Sequence, residues 1–269
     1  MKSLKYSVSF IVLVLVISWG YFAYVFAKPE RTDLFVFVMI FPAIIALIIN
    51  FIRYKSFKEV FKPLTTRLNI KSLGFALFYP VIFIGAIAFL VWLFGIAEFN
   101  KETFSNSSLH LGLANIVIAF FLMFGEEYGW RGFLLKDLAE VKGKVFAAVI
   151  VGIVWALWHA PAVYGLANVY EYDSPLLLTF VQMLAVFIFS MPFAHSYFMS
   201  GNILPPMIFH FVWNLFNPMV LGNIYRNTPG IMEGNNLLIN GEAIAGVVLG
   251  LIFFIWYILK YRSKEVVAE

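Results

Sequence analysis

Residues 73–97, LGFALFYPVIFIGAIAFLVWLFGIA, hold no Asp, Glu, Lys, Arg or His. A helix needs about 20 apolar residues to cross roughly 30 Å of hydrocarbon, and this run exceeds that. Seven further apolar windows follow the pattern: 7–27, 34–52, 111–130, 145–164, 176–199, 203–221 and 243–259. The composition agrees. Of 269 residues, 62% are hydrophobic and 13% charged, where a soluble chain carries about 25% charged. Mean hydropathy is +0.88. These figures exclude a soluble globular domain and a disordered chain, because too few polar side chains exist to coat a soluble fold. The expected fold class is all-α, a polytopic membrane helix bundle of about eight transmembrane helices. The 31 Phe and 7 Trp suit lipid-facing helices with interfacial anchors.

The charges give the topology. Fifteen of the 19 Lys and Arg fall in the N-terminal tail, in 53–71, in 131–144 and in 260–264. The other four, Lys28, Arg31, Lys101 and Arg226, fall in the alternate connections. The positive-inside rule then places both termini in the cytoplasm, with an even number of spans in the cell membrane. No solenoid repeat or low-complexity linker divides the chain. The expectation is a single integral-membrane domain over 1–269. Val25-Phe26-Ala27 resembles a signal-peptide cleavage site, but the preceding apolar run is longer than a signal's, so an uncleaved span is expected. The basic stretch 53–72 reads equally as an interfacial amphipathic helix, through Phe57, Val60, Phe61 and Leu64, or as a plain loop. With no cysteine, disulfides, thiolate metal sites and a cysteine nucleophile are excluded. The expected partner at this level is the lipid bilayer, not nucleic acid.

Four windows lack ionisable side chains, and the exceptions cluster in spans four to seven. Ionisable groups in hydrocarbon are costly and usually face a functional interior. The first cluster is Gly125-Glu126-Glu127-Tyr128-Gly129-Trp130-Arg131-Gly132-Phe133. Apolar sequence continues after it, so helix four is expected to reach Leu138. Glu127 and Arg131 stand one turn apart on one face and can pair. That pair reads equally as packing structure or as part of a site. Glu126, about 100° around the helix, is left without this partner. A carboxylate in low-dielectric surroundings can serve as a general base near neutral pH. His159, in Trp155-Ala156-Leu157-Trp158-His159-Ala160-Pro161, is the one ionisable residue of span five, and Pro161 can kink or end that helix. His210 and Asn214 in span seven share a face. They read either as donors for a developing oxyanion or as polar glue between helices. His195 in span six lacks a polar partner at helical spacing and is expected to be structural. His110 is expected at the outer interface.

A carboxylate base, two histidines, an amide and a Glu–Arg pair suffice for hydrolysis by water. The sequence holds no HExxH zinc pattern, no GxSG serine site and no intramembrane aspartate pair. Glu126-Glu127-x-x-x-Arg131 matches the EExxxR motif of the CAAX-processing and bacteriocin-processing (CPBP, or ABI) intramembrane endopeptidases. Trp155-x-x-x-His159 resembles that family's FxxxH motif, with Trp for Phe, and His210-x-x-x-Asn214 matches its HxxxN motif. The three stand in the family's order on spans four, five and seven. The resemblance is close over about 110–220, and the remaining spans match only in being membrane helices.

The resemblance implies an intramembrane endopeptidase acting on a membrane-associated protein or peptide, prenylated where the host prenylates proteins. It implies that Glu126 activates water with help from His159, and that His210 and Asn214 stabilise the oxyanion. Glu127 and Arg131 would organise the surroundings, and Trp155 would alter cavity shape without loss of chemistry. Glutamate-activated water without a cofactor is the expectation. The alternative is Zn held by Glu126, His159 and His210. Two other functions fit the same residues, a proton-coupled transporter using them as a relay and a non-catalytic bacteriocin-immunity protein. One geometric conflict stands out. Glu126 lies about 22 Å in from the outer end of span four and His159 only about 8 Å in from that of span five. They can meet only if helix five continues beyond Tyr164 or the helices tilt strongly.

Overall fold

The computed structural model describes residues 4–106 and 113–266. The chain opens with helix α1 (Lys5–Phe26) and a 3-10 helix (Pro29–Ile40) that runs into α2 (Phe41–Tyr54). Lys55, in the left-handed conformation at φ 49°, ends α2. The short helices α3 (Phe57–Val60) and α4 (Lys62–Thr65) follow. Next come α5 (Ile70–Leu93), strand β1 (Glu98–Phe99) and α6 (Lys101–Asn106). Then α7 (Leu113–Glu127) passes through a π-helix (Tyr128–Leu135) into α8 (Lys136–Lys142). After Gly143 come α9 (Lys144–Val169), α10 (Pro175–Phe198) and α11 (Leu204–Leu221). Strand β2 (Met232–Glu233), α12 (Asn236–Ile239) and α13 (Ile244–Val266) complete the chain.

The fold class is the expected one, a polytopic membrane bundle. Among the described residues, six helical stretches are long and apolar enough to cross a membrane: 5–26, 30–54, 70–93, 144–169, 175–198 and 236–262. The fourth and seventh expected spans are helical too, as α7 to α8 and as α11, and these two carry the carboxylates, His210 and Asn214. Large apolar side chains such as Phe78, Ile82, Val248 and Ile252 stand exposed on the bundle's outside. Hydrocarbon, not water, is the solvent that suits such a surface.

Three details differ from the sequence reading. Residues 29–40 wind as 3-10 rather than α. Helix four goes past Leu138 to Lys142 and includes a π segment. A two-residue antiparallel ladder pairs Glu98 with Glu233 and Phe99 with Met232. The 53–72 stretch is neither one long amphipathic helix nor a plain loop. Its two short helices bury Val60 and Pro63, and the Val60 carbonyl accepts from the Tyr128 hydroxyl at 2.7 Å. His110 falls outside the described residues.

Pro161 neither ends nor breaks α9, which runs on to Val169. A proline cannot donate to the carbonyl four residues back. That carbonyl, of Leu157, instead accepts from the Trp19 indole of α1 at 3.2 Å. In a membrane such replacement is what makes an interior proline tolerable. The continuation settles the conflict of depth. His159 lies ten residues, about 15 Å, from the outer end of α9. Glu126 lies thirteen residues, about 20 Å, from Leu113, the first described residue of α7.

Gly125 and Gly129 set the carboxylates in place. They stand four apart, so they share a face on which small residues let backbones meet. A Cβ on Gly125 would sit 2.8 Å from Ile40 Cα, and one on Gly129 would sit 2.7 Å from the Pro42 carbonyl carbon. The helix carrying Glu126 and Glu127 is thus pressed onto the junction between the 3-10 helix and α2. Gly129→Ala is expected to cost about 1–3 kcal/mol by overpacking. The check is the thermal unfolding midpoint in detergent, and an unchanged midpoint contradicts the close approach.

Candidate active site

Glu126, His159, His210 and Asn214 all line one cavity of about 290 Å³ inside the bundle. Six helical segments contribute to its walls: α1, the 3-10 helix, α7, α9, α10 and α11. Phe22 of α1, Phe35, Val186 and Phe189 make much of its surface apolar. Glu126 is 2% exposed and Glu127 and Arg131 are fully buried.

Trp155 ties the site together. Its indole Nε1 donates to Glu126 Oε2 at 3.0 Å. Its backbone carbonyl lies 2.8 Å from His159 Nδ1. A carbonyl only accepts, so Nδ1 carries the proton and a neutral His159 keeps its lone pair at Nε2. The Trp155 ring also lies under the Arg131 guanidinium, 4.1 Å from ring centre to Cζ, with Phe193 at 4.3 Å. The departure from Phe thus does more than alter shape, because an indole supplies a hydrogen bond that a phenyl ring lacks. Glu126 and His159 are joined through Trp155, and no hydrogen bond runs directly between them among the described residues.

Glu127 serves the opposite wall. Its Oε1 accepts from Arg131 Nη1 at 2.9 Å and from His210 Nδ1 at 2.9 Å. The i, i+4 pairing expected from the sequence is therefore present, although Arg131 sits in the π segment. Glu127 Oε2 and Arg131 Nε and Nη2 have no hydrogen-bond partner among the described residues. The Asn214 amide is 3.8 Å from Met123 Sδ, a weak acceptor, so its donors are little engaged.

The structure brings Glu126, His159, His210 and Asn214 to one cavity and puts Glu127 and Arg131 behind it. His195 is not part of that wall. It packs edge-on against Phe75 and Trp256, with Nδ1 2.7 Å from the Tyr261 hydroxyl. Sequence reading missed the far end of the cavity, which Tyr225 and Glu242 line. Glu242 stands one residue before the 243–259 window, so an edge drawn there left it among loop acids.

The alternative zinc set, Glu126, His159 and His210, lines one cavity, each side chain held at one atom by a different partner. Among the described residues, no three His, Asp or Glu side chains are placed to hold one metal ion.

Loss of one member of a buried pair leaves an uncompensated charge, worth about 3–5 kcal/mol. Arg131→Met should destabilise by that order, measured by unfolding in detergent. Glu127→Gln combined with Arg131→Met should be less harmful than the two single costs added. Strict additivity would show that the pair is not coupled.

Residues 105–216, which contain all three motifs, match the family described as Type II CAAX prenyl endopeptidase Rce1-like. A 48-residue stretch is 38% identical to CAAX prenyl protease 2 of Methanococcus maripaludis, covering 18% of this chain and 17% of that protein. An 82-residue stretch is 30% identical to Lysostaphin resistance protein A of Staphylococcus haemolyticus, covering 28% of this chain and 23% of that protein. The matched stretches thus span less than a quarter of either relative's length. The central segment of this multi-pass integral membrane protein is thus similar to the Rce1-like CAAX prenyl endopeptidases, in line with the resemblance that its motifs carry.

Proposed function

We propose that the protein is an intramembrane endopeptidase that hydrolyses a peptide bond with water activated by Glu126. The observation that carries this is the convergence of Glu126, His159, His210 and Asn214 on one largely apolar cavity. Glu126 Oε2 is engaged by Trp155, which leaves Oε1 to take a proton from water. His159, anchored through Nδ1, offers Nε2 to orient that water or share the proton. The resulting hydroxide attacks the peptide carbonyl, and negative charge develops on its oxygen. The Asn214 amide supplies one donor to that oxygen. His210 supplies another through Nε2–H. That role requires both of its ring nitrogens to be protonated, with Glu127 as counter-ion at Nδ1. The proton held by Glu126 then passes to the leaving amine. No metal is invoked.

The apolar walls exclude bulk water and fit a membrane-associated peptide or protein, prenylated in hosts that prenylate proteins. Membrane-fraction proteomics should reveal uncleaved precursors in a Glu126→Ala strain. Glu126→Ala and His159→Ala should each abolish cleavage while the protein still accumulates in the membrane. Unchanged cleavage in both variants would sink the reading. Trp155→Phe removes a hydrogen bond to a charged group worth about 1.5–3 kcal/mol. It should lower kcat roughly 10- to 100-fold with KM little changed. Equal turnover by the Phe variant would mean that the indole only fills space.

A further inference from the structure

The cavity continues past the motif residues. Toward the connection after α11 it is lined by Trp213, Asn217, Tyr225 and Glu242. Glu242 lies between α12 and α13, and its carboxylate is held at both oxygens. The Trp213 indole donates to Oε1 at 3.0 Å and the Tyr225 hydroxyl donates to Oε2 at 2.7 Å. Gln182, itself fully buried, donates to the Tyr225 oxygen at 3.0 Å.

The backbone beneath is fixed as firmly. Asn217 of α11 donates to Asn240 Oδ1 at 3.0 Å and accepts from the Gly241 N–H at 3.1 Å. Asn240 Oδ1 also accepts from the Glu242 N–H at 2.8 Å. This arrangement holds a carboxylate in a cavity wall rather than leaving it on a loop in solvent. Burial, and then the Glu242 carboxylate, push the Tyr225 hydroxyl well above its ordinary range, so it stays a donor.

A carboxylate has about four acceptor sites, and two of these are filled. Glu242 forms no ion pair with a Lys, Arg or His among the described residues. A partly buried carboxylate without a counter-ion favours a ligand that brings one. A cation held there would lie in the same cavity as Glu126. We infer that Glu242, braced by Trp213 and Tyr225, is a specificity subsite that takes a basic side chain, Lys or Arg, of the bound peptide. This rests on the endopeptidase reading and adds a substrate class to it.

The test compares two blocked tripeptides that differ by one ammonium group, acetyl-Leu-Lys-Leu-amide and acetyl-Leu-norleucine-Leu-amide. Binding to the purified full chain in detergent is followed by tryptophan fluorescence, to which Trp213 contributes. The wild type should bind the Lys peptide at least tenfold more tightly. Glu242→Gln should bring the two within about twofold, and Glu242→Asp should keep the preference. Full preference in Glu242→Gln, or none in the wild type, overturns the subsite. A second measurement needs no variant. A photo-leucine version of the Lys peptide is crosslinked to the wild type and the labelled residues are mapped by mass spectrometry. Label within 213–225 or at 242 supports the subsite, and label confined to the surroundings of Glu126 and His159 overturns it. The two readings fail separately. Lys-selective binding with no peptide ever cleaved removes the endopeptidase and keeps the cation site. Cleavage indifferent to a basic residue removes the subsite alone.

Discussion

The Glu127 carboxylate, buried between Arg131 and His210, is the constraint around which the interior is arranged. A charge in hydrocarbon must be compensated where it stands, because no water is available to do it. One oxygen meets the Arg131 guanidinium and His210 Nδ1, each at 2.9 Å. To bring them there, the helix carrying Glu127 must pack against α11, which holds His210. Arg131 in turn must find surfaces for the rest of its guanidinium, and it lies between the rings of Trp155 and Phe193. One ion pair therefore draws α7, the π segment, α9, α10 and α11 to a common centre.

Small residues permit what the charges require. Gly125 and Gly129 flank the two glutamates and let their helix touch the backbone at Met39–Pro42. The carboxylates are thereby set at a depth fixed by packing rather than by lipid. The wider winding of the π segment follows directly, and such segments shift the faces of a helix relative to one another. The result is a division of labour between adjacent residues. Glu127 is held through Oε1 by Arg131 and His210, whereas Glu126 is held through Oε2 by Trp155 and lines the cavity.

The cavity holds two braced carboxylates among largely apolar walls. Trp155 orders Glu126 and His159, and Trp213 and Tyr225 order Glu242. In both places an indole N–H fixes a carboxylate. Indole suits this use, having one donor, no acceptor and a large apolar body that costs little to bury.

Hydropathy alone determined the bundle. Five of the six spans came out within five residues of the windows drawn for them, and the last begins seven residues before its window, because the length of an apolar run is set chiefly by the bilayer. Helical spacing alone also determined that Glu127 and Arg131 pair, since their contact is local to one helix. The rest depended on contacts between segments far apart in the chain. The 3-10 winding of 29–40, the indole bond from Trp155 to Glu126 and the Trp19 donor that lets α9 run through Pro161 are of this kind. So is the role of Glu242. Its place in the sequence is that of an ordinary loop acid, and only the folding of its loop against α11 and Tyr225 puts it in the cavity wall. Periodicity reports how a segment meets its solvent, whereas a site is made by which segments meet each other, and that is decided in three dimensions.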